Sequence, residues 1–77
     1  MPKLPRTSGQ KTVAALNHLG FVTVRQRGSH VILRKETASS AIGTVVPMHK
    51  ELAPGTLRGI LQLAGVSVEE FLAALAH

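Results

Sequence analysis

Arg25-Gln26-Arg27-Gly28-Ser29-His30-Val31-Ile32-Leu33 is the stretch whose reading decides the fold. Gly28-Ser29 has the make-up of a two-residue hairpin loop, because a leading glycine supplies the positive φ of a type II′ turn. With that loop, Arg27 is expected opposite His30, Arg25 opposite Ile32, and Thr23 opposite Arg34. Side chains alternate along a strand, so these pairs share one face. Val22, Val24, Val31 and Leu33 then line the other face. One side of the ribbon is apolar, and the opposite side carries Arg25, Arg27, His30 and Arg34. An imidazole among guanidinium groups is a candidate phosphate site with an acid/base in it.

Working outward, Thr7 or Ser8 caps a helix before the hairpin, and Thr7 with Gln10 has capping-box spacing. Val13, Leu16 and Leu19 form its apolar stripe, with Lys11 and His18 on the wet side. Gly20 ends it, placing Phe21 to fold back on Leu16. Phe21 to Arg27 is expected as the first strand, His30 to Lys35 as the second, and Ile42 to Val46 as the third, with Pro47 stopping it. Gly43 is a candidate bulge. The polar run from Glu36 to Ala41 is a hairpin loop. Pro54-Gly55 opens a second helix with Thr56 as N-cap and Leu57, Ile60, Leu61 and Ala64 as its apolar stripe. Gly65 closes that helix, and Ser67 with Glu70 is a second capping box starting a short terminal helix through Phe71, Leu72 and Leu75. Residues 1 to 6, with Pro2 and Pro5 between basic residues, read as a short extended arm.

These elements make an α+β domain: a three-stranded antiparallel sheet, helices on one face, and a short C-terminal helix. Seventy-seven residues suit a single domain spanning 1–77.

Four pieces keep a recognisable order: Ser8-Gly9, then Gly20-Phe21, then Gln26-Arg27-Gly28-Ser29-His30, then Pro47-Met48-His49-Lys50 leading into Pro54-Gly55-Thr56-Leu57. Together they resemble the HicA family of mRNA interferase toxins over nearly the whole chain. The resemblance implies an α-β-β-β-α fold similar to double-stranded-RNA-binding domains. It implies metal-independent RNA cleavage, the toxin role in a type II toxin–antitoxin system, and a HicB-type antitoxin as partner. It also implies that the histidine after Gly-Ser, His30, is catalytic. The pattern has a histidine at His49 as well, a second candidate whose plainer role is that of a loop residue bonded to backbone.

Composition narrows the chemistry. Nine Lys and Arg face four acids, and two of those acids, Glu69 and Glu70, sit near the end. Residues 1 to 68 therefore carry a charge of +7 with histidines neutral. Such a charge on a small domain favours polyanions, either nucleic acid or an acidic protein. Phe21 and Phe71 are the only aromatics, too few to stack bases on aromatic platforms, which leaves backbone recognition. There is no cysteine and no aspartate, so thiolate chemistry, disulfides and carboxylate-clustered metal sites are excluded, and no cofactor is expected. His18, His30, His49 and His77 lack ligand spacing. Ser29 beside His30 has no acid to complete a hydrolytic triad. No apolar run is long enough for a membrane helix, and the start lacks a signal-peptide core, so a cytoplasmic protein without membrane partners is expected.

A histidine can deprotonate an RNA 2′-OH or protonate the leaving oxygen, while Arg and Lys stabilise the phosphate charge. Arg25, Arg27, Ser29, Arg34, His49 and Lys50 are the RNA-binding candidates beside His30. Two other readings remain: a non-catalytic RNA-binding module of the same fold, and an interaction domain whose basic face docks an acidic protein.

Overall fold

Ser8, not Thr7, caps the first helix: its hydroxyl accepts the Lys11 N–H, and α1 runs Gly9–His18. The computed structural model describes residues 3–77, and Met1 and Pro2 of the expected arm lie outside the described residues. α1 ends in a Schellman arrangement. The Gly20 N–H donates to the Asn17 carbonyl at 3.1 Å, and the Phe21 N–H donates to Leu16 at 2.9 Å. Phe21 and Leu16 both enter the core, as the sequence implied.

Three strands follow, β1 (Val22–Arg27), β2 (His30–Glu36) and β3 (Ala41–Pro47), in the order β1-β2-β3 and antiparallel throughout. α2 (Pro54–Ala64) and α3 (Val68–Leu75) complete the chain. This is the α-β-β-β-α plan with a short C-terminal helix.

The hairpin closes as read, with Arg27 opposite His30 and Arg25 opposite Ile32. Beyond that point the register slips, because a bulge lies between Thr23 and Arg25. An extra residue in one strand moves every later side chain to the other face. Thr23 therefore faces Leu33 instead of Arg34, and Val22 faces Arg34. The expectation that Val22 and Val24 line the core fails: the slip turns Val22 to the other face, and β1, an edge strand, is exposed along its whole length, Val24 at the bulge included. Val22 is 63% exposed and Val24 55%, whereas Val31 and Leu33 are buried. Gly43 sits in regular register opposite Arg34, so it is not the bulge.

The core lies between one sheet face and the helices. Val31, Leu33 and Val46 from the sheet meet Leu16, Leu57, Ile60, Leu61 and Phe71. Two polar ties fix the layers. The Thr44 hydroxyl, buried, donates to the Ile60 carbonyl at 2.9 Å. The Lys35 ammonium donates to the Leu19 carbonyl at 2.9 Å and lies 5.7 Å from the Phe21 ring centre. A cation there satisfies a free carbonyl at the negative end of α1.

α2 begins one turn earlier than Thr56 suggests. Ala53 is its N-cap and Pro54 occupies the first turn, where a missing N–H costs nothing. Its end repeats the first helix's, the Val66 N–H donating to the Leu61 carbonyl at 3.0 Å. Ser67 and Glu70 form the expected reciprocal capping box on α3.

Candidate functional site on the open sheet face

Gly28 has φ +57°, and no described residue other than glycine has positive φ, which is the II′ pattern. That turn starts β2 at His30 and puts the imidazole on the face away from the helices. Three rows cross this face. The first is Arg27, His30 and Pro47; the second is Arg25, Ile32 and Val45; the third is Val22, Arg34 and Gly43. His30, Arg25, Arg27 and Arg34 are all exposed.

The first row is the best defined. Arg27 is the direct cross-strand neighbour of His30, and Arg25 stands about 7 Å further along β1. Arg34 shares the face, but at about 13 Å along β2 from His30. Its Nε lies 3.2 Å from a Glu36 carboxylate oxygen, in an exposed pair.

Backbone bonds hold this end together. The Met48 N–H donates to the Ser29 carbonyl at 2.6 Å, and the Gly9 N–H donates to the His49 carbonyl at 2.9 Å. The Leu52 N–H donates to the Thr7 carbonyl at 2.8 Å. The start of α1, the hairpin loop and the segment after β3 are thus stitched into one cluster. Gly9 makes the contact possible: a Cβ there would run into the Pro47 carbonyl oxygen and come within 2.9 Å of the Met48 Cα. Ser8-Gly9 stands out in the sequence as a motif, but only the fold shows that the glycine serves close approach.

His49 and Lys50 are exposed at the edge of this cluster. The His49 backbone carbonyl accepts the Gly9 N–H, which anchors the residue through its main chain. Ser29 is exposed and contributes its carbonyl to Met48. Among the described residues neither His30 nor His49 has a side-chain hydrogen bond, and no three His, Cys, Asp or Glu residues gather closely enough to hold a metal ion. The cluster can offer an imidazole and several cationic side chains to a phosphodiester.

The sequence reading missed the apolar part of the face. Val22 and Val45 are exposed on it beside the arginines, and only the bulge, which has no local sequence signal, puts Val22 there; Val24, the unpaired residue of the bulge, is exposed as well.

Strand order, helix placement and the histidine-bearing outer face define a small α+β domain of the double-stranded-RNA-binding type. The family model described as "HicA toxin of bacterial toxin-antitoxin" matches residues 9–66. The chain belongs to that family and is the toxin member of a toxin–antitoxin pair. No curated protein was found to match it. No helix among the described residues is long and apolar enough to cross a membrane.

Proposed function

We propose that this toxin is a metal-independent endoribonuclease, an mRNA interferase, acting in the cytoplasm with His30 as its general acid/base. One observation carries the reading: His30 opens β2 on the solvent-facing side of the sheet, directly across the hairpin from Arg27. An RNA strand laid on this face brings a ribose and its phosphate to that row. A base removes the 2′-OH proton, O2′ bonds to phosphorus, the P–O5′ bond breaks, and the 5′ oxygen takes a proton. His30 serves one of these proton transfers, and the second proton passes to or from water or His49. Arg27, Arg25 and Lys50 hold the phosphate charge, with Ser29 and Arg34 flanking the track. A single unoriented imidazole implies a modest rate, which suits a growth-arresting toxin. The antitoxin, of HicB type, neutralises it by covering or crowding His30.

His30→Ala tests this. The folded variant loses RNA cleavage and growth arrest; cleavage and arrest equal to the parent's would overturn the assignment. The lack of a side-chain partner for His30 favours one second reading, an RNA-binding module without catalysis. That reading gives salt-dependent binding with the RNA left intact.

A further inference from the structure

The outer sheet face is divided lengthwise. Arg27 and Arg25 on β1 and Arg34 on β2 stand in three successive rows, one cation to a row. β3 carries no charged residue, and its Val45, 40% exposed, sits beside Ile32 on the same face. Same-face residues recur at every second position, so the rows are about 7 Å apart and the cationic lane is about 13 Å long. Glu36, two residues beyond Arg34 on β2, brings a carboxylate to the next row. The face thus has a cationic lane that ends at a carboxylate, with an uncharged, apolar lane along one side.

We infer that one unpaired RNA strand lies lengthwise here, with the scissile phosphate at Arg27 and His30, the next two phosphates at Arg25 and Arg34, and its bases over Ile32 and Val45. This rests on the reading of His30 as the cleaving residue and adds the register of the substrate. Neighbouring phosphates of an extended RNA strand are spaced much as alternate residues of a β-strand are, so one arginine per row meets one phosphate per nucleotide. That regularity suits a polymer with one charge per repeat better than it suits a protein surface. A single strand is also two-sided, phosphates along one edge and bases along the other, as this face is. A duplex turns phosphates outward on both margins, and double-stranded readers span about 16 base pairs, far more than this lane. Attack by O2′ further needs the ribose to bring O2′ in line with the P–O5′ bond, which A-form stacking prevents and a free strand allows. Phe21 and Phe71 are buried, so the bases rest on methyl groups and the lane selects a strand without selecting a sequence. Glu36 repels a further phosphate and sets the length of the lane. Its pair with Arg34 is exposed on both sides, so a phosphate displaces it at small cost.

Two oligonucleotides test the register. The first is a short 2′-O-methyl RNA, which binds and cannot be cut, supplied as a single strand or as a blunt duplex. The single strand should shift the methyl NMR signals of Ile32 and Val45, through the ring currents of the bases, and leave those of the buried Val31 and Leu33 in place. Arg34→Ala should weaken its binding about fivefold, and Glu36→Gln should tighten it. Both positions are exposed, so thermal melts should show both variants folded. The second is a DNA strand with one ribose, which fixes the cleavage point, and with one phosphate at a time replaced by an uncharged methylphosphonate. Cleavage should slow about fivefold for the first and the second replacement on one side of the cut, and not for the third. In Arg34→Ala the second replacement should cost nothing further. Equal binding of the duplex, unmoved Ile32 and Val45 methyls, a third replacement as costly as the second, or no effect of Arg34→Ala or of Glu36→Gln overturns the inference. So does a leucine-bearing acidic peptide that moves those methyls when the RNA does not, which would give the apolar lane to a protein. The bound-strand signature without any cleavage would support the register and sink only the catalytic role of His30.

Discussion

Replacing Gly9 by alanine sets two opposed effects against each other. Alanine lowers the entropy of the unfolded chain and suits a helix better, a gain of about 0.4–1 kcal/mol where the site is open. At Gly9 the site is closed. The new methyl would collide with the Pro47 carbonyl oxygen and lie 2.9 Å from the Met48 Cα and 3.0 Å from the Pro47 carbonyl carbon. All three are backbone atoms, so no side chain can swing aside. Relieving the overlap means pushing α1 away from β3, an overpacking cost of about 1–3 kcal/mol. It also stretches the bond from the Gly9 N–H to the His49 carbonyl, 2.9 Å in the native protein, for about 1 kcal/mol more. The loss wins by about 2 kcal/mol, which for a domain of this size lowers Tm by on the order of 10 °C. Gly59→Ala is the matched control, since a methyl there meets nothing within 4 Å, and it should raise Tm instead. Circular dichroism melts and urea titrations of both variants supply the measurement. A Gly9→Ala protein as stable as the parent would show that the close approach of α1 to β3 is not a constraint, and the account of the stitched cluster would fall with it.

Other expectations follow from the same geometry. Lys35→Met keeps the apolar stem but removes the donor to Leu19 and the charge at the end of α1; thermal melts should show a loss of about 1–2 kcal/mol. Arg25→Ala and Arg27→Ala should each weaken RNA binding and flatten the plot of log affinity against log salt by about 0.7 per lost phosphate contact, read by titration at several ionic strengths; unchanged slopes would place the RNA elsewhere. Glu70 is held below the ordinary carboxylate range by the Ser67 backbone N–H and the Ser67 hydroxyl. A folded-state value below the unfolded one means its stabilising effect is present above the unfolded value and fades as pH falls through the folded one. Urea midpoints measured from neutral to acid pH should therefore fall less steeply for Glu70→Gln than for the parent.

Features specified by neighbouring residues were legible from the sequence. Gly28-Ser29 set the turn, and through it the pairing of Arg27 with His30, because a two-residue loop leaves one register. The Schellman ending at Gly20-Phe21 and the Ser67–Glu70 box needed no tertiary information. At the start of α2 two local signals competed, and Pro54 at the first turn outweighed Thr56 as a cap. The bulge was not legible: Val22-Thr23-Val24 alternates as a regular strand would, and nothing in that run marks where the pairing slips. The candidate site divides the same way. His30 and its arginines could be placed on one face from the hairpin alone, but their attachment to Gly9 and Met48 depends on contacts between distant parts of the chain. The stacked rings of His18 and His77 were hidden for a similar cause, since the sequence separates the two residues and only folding stacks them.

The stitched cluster also bears on when the molecule becomes hazardous to the cell that makes it. Its parts come from the start of α1, the middle hairpin and the segment after β3, and none of the tying bonds exists until Met48 and His49 have been synthesised. A nascent chain still short of that point carries the hairpin as an unanchored ribbon, so the order of synthesis sets the earliest moment at which the cluster can assemble.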